Sequence, residues 1–249
     1  MSRYSFPPAI KQPSIIPYKI QGKDAPAFLR DFNGLVDSDF GGNAKLKVLS
    51  LSGEGDNAEV TGSNTLVLPV VQILIPDKRI GRPEDLQRTL NDGDTLSIVG
   101  NHYVDLGAVL DFTGRNHEMA KDFYEQLSPE ARRDFIEKGL PASVVGYGLK
   151  NFTEGSYKLG LVNTANTRLN PSELFKGKTR QFNNTDVSLE TGLPTRLEGG
   201  ERTFYTASQK VPSIENLGLS WLYLGGSLGL DSSIESLAGS NSCGRVVLF

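Results

Sequence analysis

A chain of 249 residues with 38% hydrophobic side chains can bury a sizeable core, as one large domain or two small ones. Its 26 basic and 29 acidic residues leave a net charge of −3, which excludes a strongly basic nucleic-acid-binding surface overall but not a local patch. With two histidines and one cysteine it is short of the residues behind most metal sites, neutral-pH proton shuttles and thiol chemistry, and it cannot close an intramolecular disulfide.

Twenty-seven glycines and 13 prolines point to many turns, and hence to short strands rather than a helical bundle. The expected class is α+β and β-rich: mostly antiparallel short strands with a helical pair inserted near residues 115–138. Residues 1–22 read as an extended arm, and 23–249 as a single domain. Pro7, Pro8, Pro13 and Pro17 rule out the helical apolar core of a signal peptide in the arm and favour polyproline-like extension. No run reaches the ~18 apolar residues of a membrane span. A cytoplasmic or virion location is therefore expected. Tyr4, Phe6, Ile10, Ile15, Ile16 and Tyr18 give the arm an apolar surface that must dock, either on a neighbouring subunit or on the chain's own body.

Beyond the arm, Ala25 to Val36 predicts a short helix with Phe28, Leu29 and Phe32 on one face. Asp39 to Asn43 is a turn, and the alternation of lysine with apolar residues over Ala44 to Leu51 predicts a half-exposed strand. Ser52 to Asn57 reads as a hairpin-type loop, and the apolar run Thr65 to Ile75 as a buried strand interrupted by Pro69. Pro83 to Leu90 predicts a helix with Glu84 and Asp85 in its first turn. Strands follow at Thr95 to Val99 and Tyr103 to Phe112, joined by a tight turn at Gly100-Asn101. Asn116 to Leu127 is amphipathic, and Ser128-Pro129-Glu130 caps a second helix that Gly139 and Pro141 stop.

After Pro141 the chain turns to strand and loop, with strands expected at Ser143 to Leu149, Tyr157 to Val162, Arg202 to Thr206, Leu219 to Leu224 and Arg245 to Phe249. Asn170-Pro171-Ser172-Glu173 is a capping box opening one or two helical turns, and Ser232 to Ala238 predicts a short helix. The stretch from Gly177 to Gly200 is longer than an ordinary loop.

Gly225-Gly226-Ser227-Leu228-Gly229 matches G-x-S-x-G after an apolar strand, the order of a nucleophile elbow. The α/β-hydrolase arrangement needs a later histidine, and none follows His117, so a small serine hydrolase using Ser227 stands against a plain glycine-rich turn. Gly177-Lys178-Thr179 ends like a phosphate-binding loop, but Ser172 occupies the position of its first glycine. His117-Glu118 begins like a zincin pair, with Lys121 where the second histidine belongs. His102, Asp105 and His117 are the residue types of a two-histidine, one-carboxylate metal site, yet read more simply as hydrogen-bonded or solvent-facing side chains. Asp105 and Asp111 lie an even number of residues apart on one expected strand and so would share a face. No catalytic constellation, metal site or cofactor is expected.

The run from Leu222 to Phe249, through Leu224-Gly225-Gly226 and Gly244-Arg245-Val246, resembles the end of the CRISPR-associated RAMP proteins, the Cas7-like backbone subunits of effector complexes. The resemblance implies a glycine-rich loop against an RNA backbone, with Lys176, Lys178, Arg180 and Arg196 as candidate nucleic-acid contacts. The leading expectation is different: a non-enzymatic, self-assembling structural subunit, for example of a virus or phage particle. Its partners would be copies of itself or other subunits of a larger assembly. Tyr4, Phe6, Ile10, Ile15, Ile16, Tyr18, Val247, Leu248 and Phe249 would then lie in subunit contacts.

Overall fold

The fold is a mixed sheet covered on both faces, seen in a computed structural model that describes residues 18–91, 102–240 and 242–249. The first third contains β1 (Tyr18–Lys19), α1 (Ala25–Asp39), β2 (Ser50–Ser52), β3 (Glu59–Thr61), α2 (Val67–Leu74) and α3 (Pro83–Asn91). The middle runs β4 (Tyr103–Asp111), α4 (His117–Glu125), α5 (Pro129–Lys138), β5 (Ala142–Val145), β6 (Gly148–Asn151), β7 (Leu159–Val162) and β8 (Arg168–Pro171). The last third carries β9 (Arg180–Phe182), β10 (Arg202–Thr206), β11 (Gly218–Leu224), β12 (Leu230–Ser232), β13 (Gly244–Arg245) and β14 (Val247–Leu248), with single helical turns at Asn184–Asp186 and Ile214–Asn216. The main sheet has eight strands, ordered β8-β5-β4-β11-β12-β10-β9, with β13 beside β4. Two of its pairings, β10–β12 and β13–β4, are parallel; every other described pairing is antiparallel. This is the β-rich α+β class expected from composition.

Strand alternation divides the core in two. Along β4 and β11, Ala108, Leu110, Leu219 and Trp221 join the cluster beneath α1, α2, α4 and α5. Val104, Leu106, Val109, Leu222 and Leu224 join a second cluster with Phe175, Phe182, Phe204 and Leu86 of α3. The helical pair α4–α5 connects the neighbouring strands β4 and β5, so it is an insertion in one antiparallel pairing. Its caps are the expected ones: Ala131 donates its N–H to Ser128 Oγ at 3.2 Å, Pro129 opens α5, and Gly139 closes it at φ 57°. A serine cap of this kind is worth about 1 kcal/mol.

Five elements differ from expectation. Thr65 to Ile75 contains the helix α2, not a strand, and Pro69 lies in its first turn, where an absent N–H breaks no intrahelical bond. Asn64 Oδ1 accepts from the N–H groups of Leu66 and Val67 and so starts that turn. Ala44 to Leu51 is mostly turn, with only β2 at its end, because Leu46 and Val48 close local bonds to Asn43 and Leu46. Ser143 to Leu149 is two strands broken at Gly146, whose φ of 70° no regular strand accommodates. Ser232 to Ala238 is not a helix: Asp231 Oδ1 takes the Ser233 N–H and hydroxyl, and Trp221 donates its N–H to Ile234 O. The strand expected over Arg245 to Phe249 is two, β13 and β14, on different partners. Ser172 does cap a single helical turn at Glu173–Phe175. The strand expected at Thr95 to Val99 and the turn at Gly100-Asn101 lie outside the described residues. Among the described residues, no helix is long and apolar enough to cross a membrane.

Candidate functional site

The two ends of the described chain meet in a ribbon. β1 pairs antiparallel with β14, Tyr18 opposite Leu248 and Lys19 opposite Val247. On the other flank of β14, Arg79 and Phe249 exchange two backbone hydrogen bonds of 2.7 and 2.8 Å, and the Gly81 N–H donates to Val247 O at 2.7 Å. Past Lys19 the chain crosses to β3, where the Val60 N–H donates to Ile20 O and the Gly22 N–H to Ala58 O. Arg245 holds this corner by donating Nε to Glu59 Oε1 at 2.8 Å, with Lys19 Nζ 3.5 Å from the same carboxylate.

Val247, Leu248 and Phe249, candidate subunit contacts from sequence, are thus held by the chain's own residues. Val247 lies in the second cluster and Leu248, 0% exposed, in the first. Tyr18 supplies backbone pairing to β14. Tyr4, Phe6, Ile10, Ile15 and Ile16 lie outside the described residues.

The nucleophile-elbow candidate is a strand-turn-strand hairpin, not a strand-turn-helix. Gly225 donates its N–H to Gly229 O at 2.8 Å, joining β11 to β12, and Ser227 is exposed at the tip. His117 Nδ1 sits 3.0 Å from Leu217 O, at the opposite end of β11. The charges acting on the His102 ring are Arg245, Lys19 and Glu59, and burial pushes its pKa down. Among the described residues, no three His, Cys, Asp or Glu side chains are grouped to hold a metal.

Asp105 and Asp111 do not share a face. Tyr223 pairs with Asp105 but Leu222 with Gly107, so a bulge at Leu106 reverses the alternation. Asp105 accepts from Trp221 Nε1 in the first cluster, whereas Asp111 accepts from Ser220 Oγ, Thr113 Oγ1 and the Thr113 N–H across the sheet. Burial raises the pKa of both carboxyls, that of Asp105 to about 7.

The four cations proposed for nucleic acid are only partly grouped. Lys176 and Lys178 line a shallow concavity of about 480 Å³ with Lys210. Lys176 also pairs with Glu173 at 3.2 Å, and Arg196 pairs with Glu198. Arg180 is exposed on the sheet-edge strand β9.

Sequence reasoning missed two arginines. Arg202 is buried on β10, where it stacks 4.6 Å from the Phe182 ring and donates to Gln87 Oε1, Asn184 Oδ1 and Leu228 O. Arg82, just before α3, is buried against a cavity of about 400 Å³ beside the ribbon. Neither carries a motif, since an arginine's burial depends on partners far away in the chain. Comparisons of the chain with family models, curated proteins and solved structures return no match.

Proposed function

We propose that the chain is a non-enzymatic structural subunit that assembles with copies of itself, as in a virus or phage particle, through the segment preceding Tyr18. The observation that carries this reading is the ribbon. The last residues of the arm already add to the body by strand pairing, at Tyr18–Lys19 with β14 and at Gln21 with Glu59. Strand addition takes its affinity from backbone hydrogen bonds and its register from alternate side chains. Residues 1–17 include Tyr4, Phe6, Ile10, Ile15 and Ile16 and no acid, and a fully extended chain of that length spans up to about 56 Å, enough to reach a neighbour. Among the described residues the main sheet ends at β8 and β9, two edges of the kind such an arm takes. Val211 and Ile214, 75% and 46% exposed on one loop, add apolar surface.

Light scattering on the full chain and on a chain lacking residues 1–17 tests the reading, at low and high salt. The cut spares the pairings of Tyr18 to Gly22. A uniform assembly of the full 27.1 kDa chain that falls to a monomer on truncation is expected; a monomer in every condition overturns it.

The Lys176, Lys178 and Lys210 concavity favours a second reading, an RNA-binding subunit of the RAMP kind. Under that reading single-stranded RNA binds with a slope of log K against log salt near −2, about −0.7 per phosphate contact for three contacts. Replacing Lys178 and Lys210 by glutamine flattens that slope. Binding that is absent, or indifferent to salt, removes this reading.

A further inference from the structure

The cavity beside the ribbon has the form of a binding site. Its inner wall is apolar, from Leu68 and Pro69 of α2, Leu106 of β4 and Val145 of β5. Two lining glycines allow close backbone approaches. At Gly107 (φ 141°) a Cβ would come within 2.4 Å of Val144 O, and at Gly146 (φ 70°) within 2.3 Å of Asn166 O. The outer wall is the loop from Pro76 to Gly81. It is pinned by Gln72, which donates Nε2 to the carbonyls of Ile75 and Lys78 and accepts from the Ile80 N–H. The rim carries Lys78 and Asn166, both exposed, so the cavity opens to solvent.

Among the described residues, every charged group lining this space is cationic: Lys78, Arg79 and Arg82. Arg79 is engaged in a two-pronged pair with Asp85, whose side chain is fully buried. Arg82 is different. It is 8% exposed, and among the described residues its guanidinium makes one hydrogen bond, 3.3 Å to Asn166 O, and no ion pair. A guanidinium has five N–H donors. Glu84 and Asp85 are near enough to act on its charge, but neither comes within pairing distance. Burial, Arg79 and Arg168 together outweigh them and push its pKa below the ordinary value. A buried cation with spare donors on the wall of an open cavity is stabilised by an anion that supplies acceptors.

We propose that this cavity binds a small organic oxyanion, a carboxylate or phosphate carried on a short apolar body, with Arg82 as the head-group ligand. The planar guanidinium fork matches either oxyanion, and the walls from α2, β4 and β5 take the apolar body. The volume of about 400 Å³ lies in the range of small-molecule sites. Binding here does not rest on the assembly reading: none of the described residues 18–22 lines the cavity.

Calorimetric titration of the full-length chain with hexanoate, phenyl phosphate and hexan-1-ol tests the proposal at neutral pH. At least one anion is expected to bind ~10-fold or more tightly than the alcohol, and the tighter one identifies the head group. Arg82→Gln is expected to weaken that anion by at least ~10-fold and leave hexan-1-ol unchanged. Should Arg82→Gln fail to fold, the wild-type comparison of anion with alcohol decides alone. Equal affinity for anion and alcohol, or no binding of either anion at millimolar concentration, overturns the assignment.

Discussion

Arg202→Ala is expected to lower the free energy of unfolding by ~3–5 kcal/mol, read as a shift of the urea midpoint at constant slope. The guanidinium ties three separate segments: Gln87 on α3 at 2.7 Å, Asn184 at 2.8 Å and the hairpin carbonyl of Leu228 at 2.7 Å. Alanine takes a charged donor from each; of the three acceptors only Gln87 belongs to a buried residue, and losing its donor costs ~1–3 kcal/mol. It also removes the stacking on Phe182 and leaves a gap in the second cluster. Burial without a carboxylate partner pushes the Arg202 pKa down to about 10, so the charge is held at a cost. That cost is offset only because three acceptors converge on one planar fork. Arg202→Lys keeps the charge but cannot reach all three, and its loss should fall between wild type and alanine. An alanine variant within ~1 kcal/mol of wild type would mean the convergence does not hold these segments together.

Asp105 gives the second large effect, and it depends on pH. Its carboxyl is 1% exposed and accepts from Trp221 Nε1; among the described residues it has no cation partner and its second oxygen lacks a well-formed hydrogen bond. Burial raises its pKa to about 7, a rise that Ser63 and Trp221 only partly offset. In the unfolded chain the group titrates near the ordinary ~3.9. Between these values the native state keeps a proton that the unfolded state has lost. Stability therefore falls as pH rises from about 4 to about 7 and is level above, by up to ~4 kcal/mol. Asp105→Asn keeps an acceptor for Trp221 and cannot ionise. Near pH 4 the variant should match wild type, and at pH 8 it should be ~2–4 kcal/mol more stable. Urea unfolding of both proteins at pH 4, 6 and 8 measures the difference. If the two profiles run parallel across that window, the carboxylate is not a buried, unpaired charge.

How much of this fold is legible in the sequence depends on whether the signal is local. The cap of α5 is read from Ser128, Pro129 and Gly139 because each acts within one turn of itself. α4 is visible because Met119, Phe123 and Leu127 recur at helical spacing over a polar background. α2 is not visible: Val67 to Val71 are all buried, so no polar face marks its period and the run reads equally as strand. The bulge at Leu106 is hidden for a related reason. Gly107 permits it, but the pairing of β4 with β11 fixes where the register shifts, and that separates Asp105 from Asp111.

The candidate sites divide the same way. The sequence alone determined the β-rich α+β class, the helical pair, the apolar, proline-rich composition of residues 1–17 and the absence of a histidine after Ser227, since composition, capping and spacing are properties of the chain itself. Only the tertiary structure decided that Val247 and Leu248 belong to the chain's own core, that Ser227 tips a hairpin, and that Arg82 lies buried on a cavity wall. The burial of Arg82 and of β14 depends on partners far off in sequence, Asn166 and Gly146 for the one and Tyr18 and Lys19 for the other, while the hairpin is closed locally by Gly225 and Gly229. Burial and charge environment arise from such distant contacts, and residue order does not encode them locally.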